Sequence, residues 1–107
     1  MNQQAAQCAE TCFDCVRECE QCVAHCLGKP EMADCLRLCL EVSAICQACA
    51  PVMIRGSQFT AKWCELCAEI CEACATECEK YGDDAMKRCA EACRRCAEMC
   101  RQMATAA

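Results

Sequence analysis

The sequence predicts an all-α fold, an antiparallel up-down-up-down four-helix bundle with a cysteine-lined core. Three observations carry that expectation. Only three of 107 residues are glycine and two are proline, so the chain favours long regular elements over loops. β-Branched and aromatic residues are scarce, while Ala, Glu, Cys, Arg and Met are common, a helix-forming mixture. Nineteen cysteines recur at steps of three and four residues, the spacing of a coiled-coil seam where leucine normally sits. The length suits a single domain over residues 1–107 with one modest core.

The glycines divide the chain. GKP (Gly28 to Pro30), RGS (Arg55 to Ser57) and YGDD (Tyr81 to Asp84) separate cysteine-bearing segments, with each glycine placed as a helix C′ residue. Pro30 suits a first helical position and Asp83 an N-cap. The predicted helices cover about residues 3–27, 30–54, 58–80 and 84–104. Pro51 is placed to kink or end the second.

The first segment carries Cys8, Cys12, Cys15, Cys19, Cys22 and Cys26. The second carries Cys35, Cys39, Cys46 and Cys49, with Val42 in the empty seam position. Cys64, Cys67, Cys71, Cys74 and Cys78 lie on the third, and Cys89, Cys93, Cys96 and Cys100 on the fourth. Short connections make sequential helices antiparallel neighbours, so all four seams face one axis.

Packing alone does not account for such a seam. Buried cysteine behaves as a small hydrophobe, and one or two would need no further explanation. Bundles reach interior density with Leu and Ile, and a cysteine is much smaller. Nineteen predict a narrow, under-filled channel, costing roughly 1 kcal/mol per methyl-sized void. The axis is expected to hold a guest.

A disulfide framework is disfavoured. The count is odd, and the N-terminal MNQQAAQCAE lacks the basic and apolar regions of a secretory signal, so the chain reads as cytosolic. Residues three or four apart on one helix also point their Cβ atoms side by side, poor geometry for a bridge. No apolar run approaches the roughly 20 residues of a membrane span, so no membrane role is expected. The formal charge of −5, dispersed along helix faces without a basic stripe, disfavours nucleic acid.

Thiolates select Cu(I), zinc and iron–sulfur clusters. Zinc sites draw four ligands to one point, and cluster motifs group cysteines in short runs. Neither explains a continuous ladder. Cu(I) accepts two or three thiolates. Two in line place their sulfurs about 4.6 Å apart, from a bond of roughly 2.3 Å. Helix residues i and i+4 have Cβ atoms about 5–6 Å apart, so a CxxxC pair can clamp one ion. Eight such pairs occur: Cys8/Cys12, Cys15/Cys19, Cys22/Cys26, Cys35/Cys39, Cys67/Cys71, Cys74/Cys78, Cys89/Cys93 and Cys96/Cys100. The intervening steps, and the pair Cys46/Cys49, let neighbouring sites share thiolates. If each thiolate bridges two ions, the buried column stays near neutral and holds on the order of one Cu(I) per cysteine.

The seam runs outward into methionine. Met32 and Met86 lie at the end holding the first and third connections, and Met53 and Met103 at the opposite end. Thioethers are soft, exchangeable Cu(I) ligands. His25, the only histidine, flanks the Met32/Met86 end, where copper is expected to be admitted. Ile54, Phe59 and Trp63 are expected to plug the other end. Phe13, Val16, Val23, Leu36, Leu38, Leu40 and Ile45 fall off the strict seam. Some would widen the core, and the leucines of the second helix would cover an oligomer contact.

Helices bearing C-x3-C-x2-C-x3-C, as in C8-AETC-FDC-VREC-EQC-VAHC26 and C64-ELC-AEIC-EAC-ATEC78, resemble the bacterial copper storage proteins, and most closely their cytosolic branch. The likeness covers essentially residues 3–103. It implies a four-helix bundle, many Cu(I) ions along its core, a homotetramer, and loading from one end carrying histidine or methionine, which His25, Met32 and Met86 match in position. A single histidine departs from a histidine-rich mouth.

The reading is thus a non-enzymatic Cu(I) store whose nineteen cysteines are the ligands. No catalytic arrangement is visible, because His25 and Cys26 diverge as neighbours on a helix. The rivals are a zinc or general soft-metal buffer and a thiol redox protein, which would need exposed cysteines of low pKa. A metal-responsive regulator is disfavoured by the acidic surface.

Overall fold

The computed structural model describes residues 2–106. Four helices account for nearly all of them: α1 (Gln3–Cys26), α2 (Ala33–Ile54), α3 (Thr60–Cys78) and α4 (Asp84–Ala106). A 3₁₀ turn at Pro30–Met32 leads into α2. Each helix packs on the next and α4 closes the ring against α1, the up-down-up-down square expected from the sequence. The extents, 40 × 18 × 17 Å, are those of one bundle; a 24-residue helix alone spans about 36 Å.

The helix ends follow from their residues. The Asn2 side chain accepts from the Ala5 N–H at 2.7 Å, satisfying one free donor at the start of α1. Gly56 takes φ +69° after α2, donating to the Met53 carbonyl, while Ser57 donates to that of Val52. This is a Schellman closure, and a side chain at that φ would be strained. Gly28, with φ +76°, instead occupies the third position of a type II turn after α1, in which Lys29 N–H donates to the Cys26 carbonyl. Gly82 does neither: among the described glycines only Gly28 and Gly56 have positive φ, and α3 ends at Cys78, well before it. Asp83 stands at the expected N-cap position of α4, its carbonyl accepting from Lys87 N–H, while its carboxylate pairs with His25.

Pro51 neither breaks nor ends α2, which continues to Ile54, with Arg55 donating to the Pro51 carbonyl. Pro30–Ile54 is long and apolar enough to cross a membrane by length and composition, although Glu31, Asp34, Arg37 and Glu41 interrupt it. About half of its most apolar stretch is buried inside the bundle.

Every cysteine is buried, eighteen of them at 0 % exposure and Cys26 at 1 %. Val42 fills its seam position at 0 %. The buried polar residues among those described are Ser43 and Thr60. Ser43 donates to Glu20 Oε2 at 2.6 Å and accepts from Gln47 Nε2 at 3.0 Å, tying α2 to α1. Among the described residues no charged side chain is buried in the core. Ion pairs such as Arg94–Glu79 and Arg101–Glu72 stay outside.

Candidate metal centre

The seam spacing aims one thiol inward at nearly every turn, and the antiparallel square sets four such rows against each other. Along the axis neighbouring sulfurs stand 3.1–4.0 Å apart. Across α1 and α4, Cys8–Cys100, Cys12–Cys96 and Cys15–Cys93 lie at 3.7 Å, and Cys19 reaches Cys89 and Cys93 at 3.6 and 3.8 Å. Across α2 and α3, Cys46–Cys67 and Cys39–Cys74 lie at 3.7 Å, Cys49–Cys64 at 3.9 Å and Cys35–Cys78 at 3.1 Å. Cys39–Cys89 and Cys46–Cys96 join the two halves at 3.7 Å. All nineteen thiols are free.

Pairs within a helix also form, at Cys22–Cys26, Cys35–Cys39, Cys67–Cys71 and Cys74–Cys78, all at 3.9–4.0 Å. Each of the nineteen cysteines thus has another sulfur within 4.0 Å. The contacts across helices are what a sequence cannot display, because loop geometry sets their register.

The sulfurs also gather in fours. Cys12, Cys46, Cys67 and Cys96 lie within 4.8 Å of one another, one from each helix, as do Cys12, Cys49, Cys67 and Cys100, and Cys15, Cys46, Cys71 and Cys96. Further along the axis are Cys19, Cys74, Cys89 and Cys93, then Cys22, Cys35, Cys39 and Cys78. These groups share members: Cys12 and Cys67 belong to two, and so do Cys46 and Cys96. Sharing links the first three groups, and contacts of 3.7 Å from Cys15 to Cys93 and from Cys39 to Cys74 and Cys89 carry the column on through the other two.

The spacing suits soft metal. Three thiolates about one ion, at roughly 2.3 Å each, stand about 4.0 Å apart, and two in line about 4.6 Å. The observed contacts therefore need movements of about half an ångström, within the reach of small χ1 rotations. A tetrahedral zinc site has edges of about 3.8 Å and would fit any one group. It would not fit them all, because a thiol shared between two groups cannot complete both as separate sites. Charge adds a second discrimination: one Cu⁺ per thiolate is neutral, whereas Zn²⁺ with four thiolates leaves two buried negative charges.

Contacts among the buried thiols move their pKa values in both directions. Burial pushes the Cys26 thiol up to about 11. Contacts with Cys15, Cys46 and Cys67, together with burial, hold Cys71 far above the ordinary thiol range. Hydrogen bonds from Cys100, Cys12 and Cys46 draw Cys67 down to about 7. All nineteen thiols are buried, whereas the thiol redox reading calls for exposed ones.

The two ends differ. At the first, Met86 is fully buried and its Sδ accepts from Cys22 Sγ at 3.4 Å. Met32 is 7 % exposed beside it in sequence register with Cys35. His25 keeps 29 % of its side chain exposed, with Nε2 at 2.7 Å from Asp83 Oδ2 and its carbonyl taking the Lys29 ammonium at 2.7 Å. Tyr81 Oη donates to the Glu31 carbonyl at 3.0 Å across the same end. At the other end the expected plug is absent. Ile54 and Phe59 are 44 and 55 % exposed, and Trp63 lies half-buried against the side of the bundle. Ile54 sits one step beyond the seam residue Met53, which turns it outward.

Comparison with known proteins gives the same picture. A family model described as copper storage protein matches residues 1–105. The cysteine-rich protein YhjQ of Bacillus subtilis is 42 % identical over 72 residues, 64 % of this chain and 67 % of the relative. The Cu(I)-bound copper storage protein BsCsp3 superposes with a TM-score of 0.90 at 42 % identity, over 95 % of this chain and 99 % of that one. A cytosolic copper storage protein of Streptomyces lividans, loaded with five coppers, superposes with a TM-score of 0.91 at 29 % identity, over 96 % of this chain and 93 % of that one. With the seam, the bundle and the sulfur column already in place, the family match over residues 1–105 completes the assignment: the chain belongs to the copper storage protein family.

Proposed function

We propose that this protein is a cytosolic store that sequesters many Cu(I) ions along the bundle axis and takes no part in catalysis. The observation that carries the reading is the unbroken sulfur column, in which four-thiol groups share members. Sharing is what bridging Cu(I)–thiolate chemistry uses and what isolated tetrahedral sites cannot use. The ligands are Cys8, Cys12, Cys15, Cys19, Cys22, Cys26, Cys35, Cys39, Cys46, Cys49, Cys64, Cys67, Cys71, Cys74, Cys78, Cys89, Cys93, Cys96 and Cys100. His25, Met32 and Met86 receive copper at the first end, with Met86 already in contact with Cys22. The copper content of the Bacillus and Streptomyces relatives supports the reading, and the cytosolic description of the latter supports the compartment.

The protein assembles as a homotetramer in this reading. Its support is the exposed apolar side chains Leu40 on α2, Phe59 just before α3 and Leu66 on α3, 46–55 % exposed.

Competition between copper and zinc tests the function. Anaerobic titration with both metals present is expected to give near-complete occupancy by Cu(I) and zinc left in solution. Preference for zinc, or saturation after a few ions, would establish the general soft-metal buffer instead.

A further inference from the structure

The end of the bundle away from His25 holds a cavity of about 230 Å³ whose lining includes Ala5, Met53, Thr60 and Met103. These four are the last inward-facing residues of α1, α2, α3 and α4 at that end, and each is at most 7 % exposed. They form the first layer beyond the cysteines. Two members on diagonal helices are thioethers, and the other two are small enough to leave space between them. A layer built for closure would carry Leu or Phe at Ala5 and Thr60. The bulky residues available nearby, Ile54 and Phe59, face outward instead.

The cavity lies one helical turn beyond the column. Met53 follows Cys49 by four residues and Met103 follows Cys100 by three, the steps that stack side chains on one helix face. Cys49 and Cys100 belong to one four-thiol group with Cys12 and Cys67. Soft donors thus continue from the cavity into the sulfurs. At the His25 end, by contrast, Met86 is sealed and its sulfur is already engaged by Cys22.

We infer that the Met53–Met103 cavity is a Cu(I) site and a second port, through which copper crosses the end of the bundle opposite His25. This rests on the storage reading. Cu⁺ held by two neutral thioethers keeps its charge and exchanges readily. Passing inward to Cys49 and Cys100, it replaces one proton for each thiol that becomes a thiolate. That proton leaves to water in the cavity, and no electron moves. Outward transfer reverses each step. A port with exchangeable ligands suits release of copper better than a thiolate site, which surrenders its ion only on reprotonation.

The test uses the full chain, anaerobic Cu(I) presented by a chelator, and the double variant Met53→Leu/Met103→Leu, which keeps volume and removes both sulfurs. Loading and chelator-driven release are expected to slow by at least about threefold, with the helical signal and melting temperature held. A second measurement needs no variant: the Met53 and Met103 methyl carbon resonances of the wild-type chain are followed during Cu(I) addition and are expected to shift. Unchanged rates in the double variant, or methyl resonances that stay fixed through loading, would overturn the port. Copper bound at equilibrium by the wild-type chain is counted in parallel. Saturation at a few ions would sink the storage reading and the port with it, whereas full capacity with unchanged rates would sink the port alone.

Discussion

Cys35 and Cys78 bring their sulfurs to 3.1 Å across the α2–α3 interface, the shortest sulfur contact among the described residues. Both are fully buried, at the end of the bundle that carries Met32 and Met86. In the metal-free protein, this pair is expected to be the first to form a disulfide under mild oxidation, because its sulfurs are already in register. Peptide mass mapping of partly oxidised protein checks this, and prior loading with Cu(I) should block it. Initial bridging at Cys15–Cys93 or Cys8–Cys100, each at 3.7 Å, would contradict the expectation.

Proton competition sets the pH dependence of copper retention. A thiol must lose its proton to become a ligand, so apparent affinity rises with pH. Partition of Cu(I) between the protein and a pH-insensitive chelator should shift toward the protein from pH 6 to pH 8, with a steeper slope than for a single thiol.

The same physics gives the apo protein a signature at Cys26. Burial raises this thiol from 9.0 to about 11, so the folded state holds the proton more tightly than the unfolded chain. Its favourable share of stability is complete below the unfolded value and is lost as pH climbs through about 11. The melting-temperature advantage of wild type over Cys26→Ala should therefore shrink between about pH 9 and pH 11. A constant difference over that range would count against it.

Cys12 belongs to two four-thiol groups. Cys12→Ala should lower copper capacity by about one to two ions and cost about 1 kcal/mol in the apo protein, since only a small buried group is removed. Loading should still raise its melting temperature, by less than in wild type. Copper analysis after gel filtration reads the capacity, and a variant that binds as much as wild type would show that Cys12 is not a ligand.

At the His25 end, replacing His25, Met32 and Met86 together by Ala, Leu and Leu should slow Cu(I) loading by several-fold while leaving the thiol ligands in place. Stopped-flow transfer from a chelator measures this, and an unchanged rate would remove these residues from the uptake path.

Much of the molecule could be read in advance, for a physical reason. Seam steps of three and four residues fix both helix and facing, so Cys8 through Cys100 point inward as the spacing required. Positive-φ glycines marked two of the three connections, at Gly28 and Gly56. Features set by tertiary register were not legible. The pairing of Cys46 with both Cys67 and Cys96 depends on how loops offset antiparallel helices. The supposed plug failed because one residue of helix phase separates buried Met53 from exposed Ile54. Asp83 holds the cap position, yet a histidine 58 positions away took its carboxylate.

The central claim is that one continuous column of thiols holds copper along the bundle axis. Diffraction from Cu(I)-loaded crystals at the copper absorption edge locates each ion by its anomalous signal. The account predicts a string of peaks on the axis, each within bonding distance of two or three cysteine sulfurs. A few peaks on surface carboxylates, with an axis empty of copper, would contradict it.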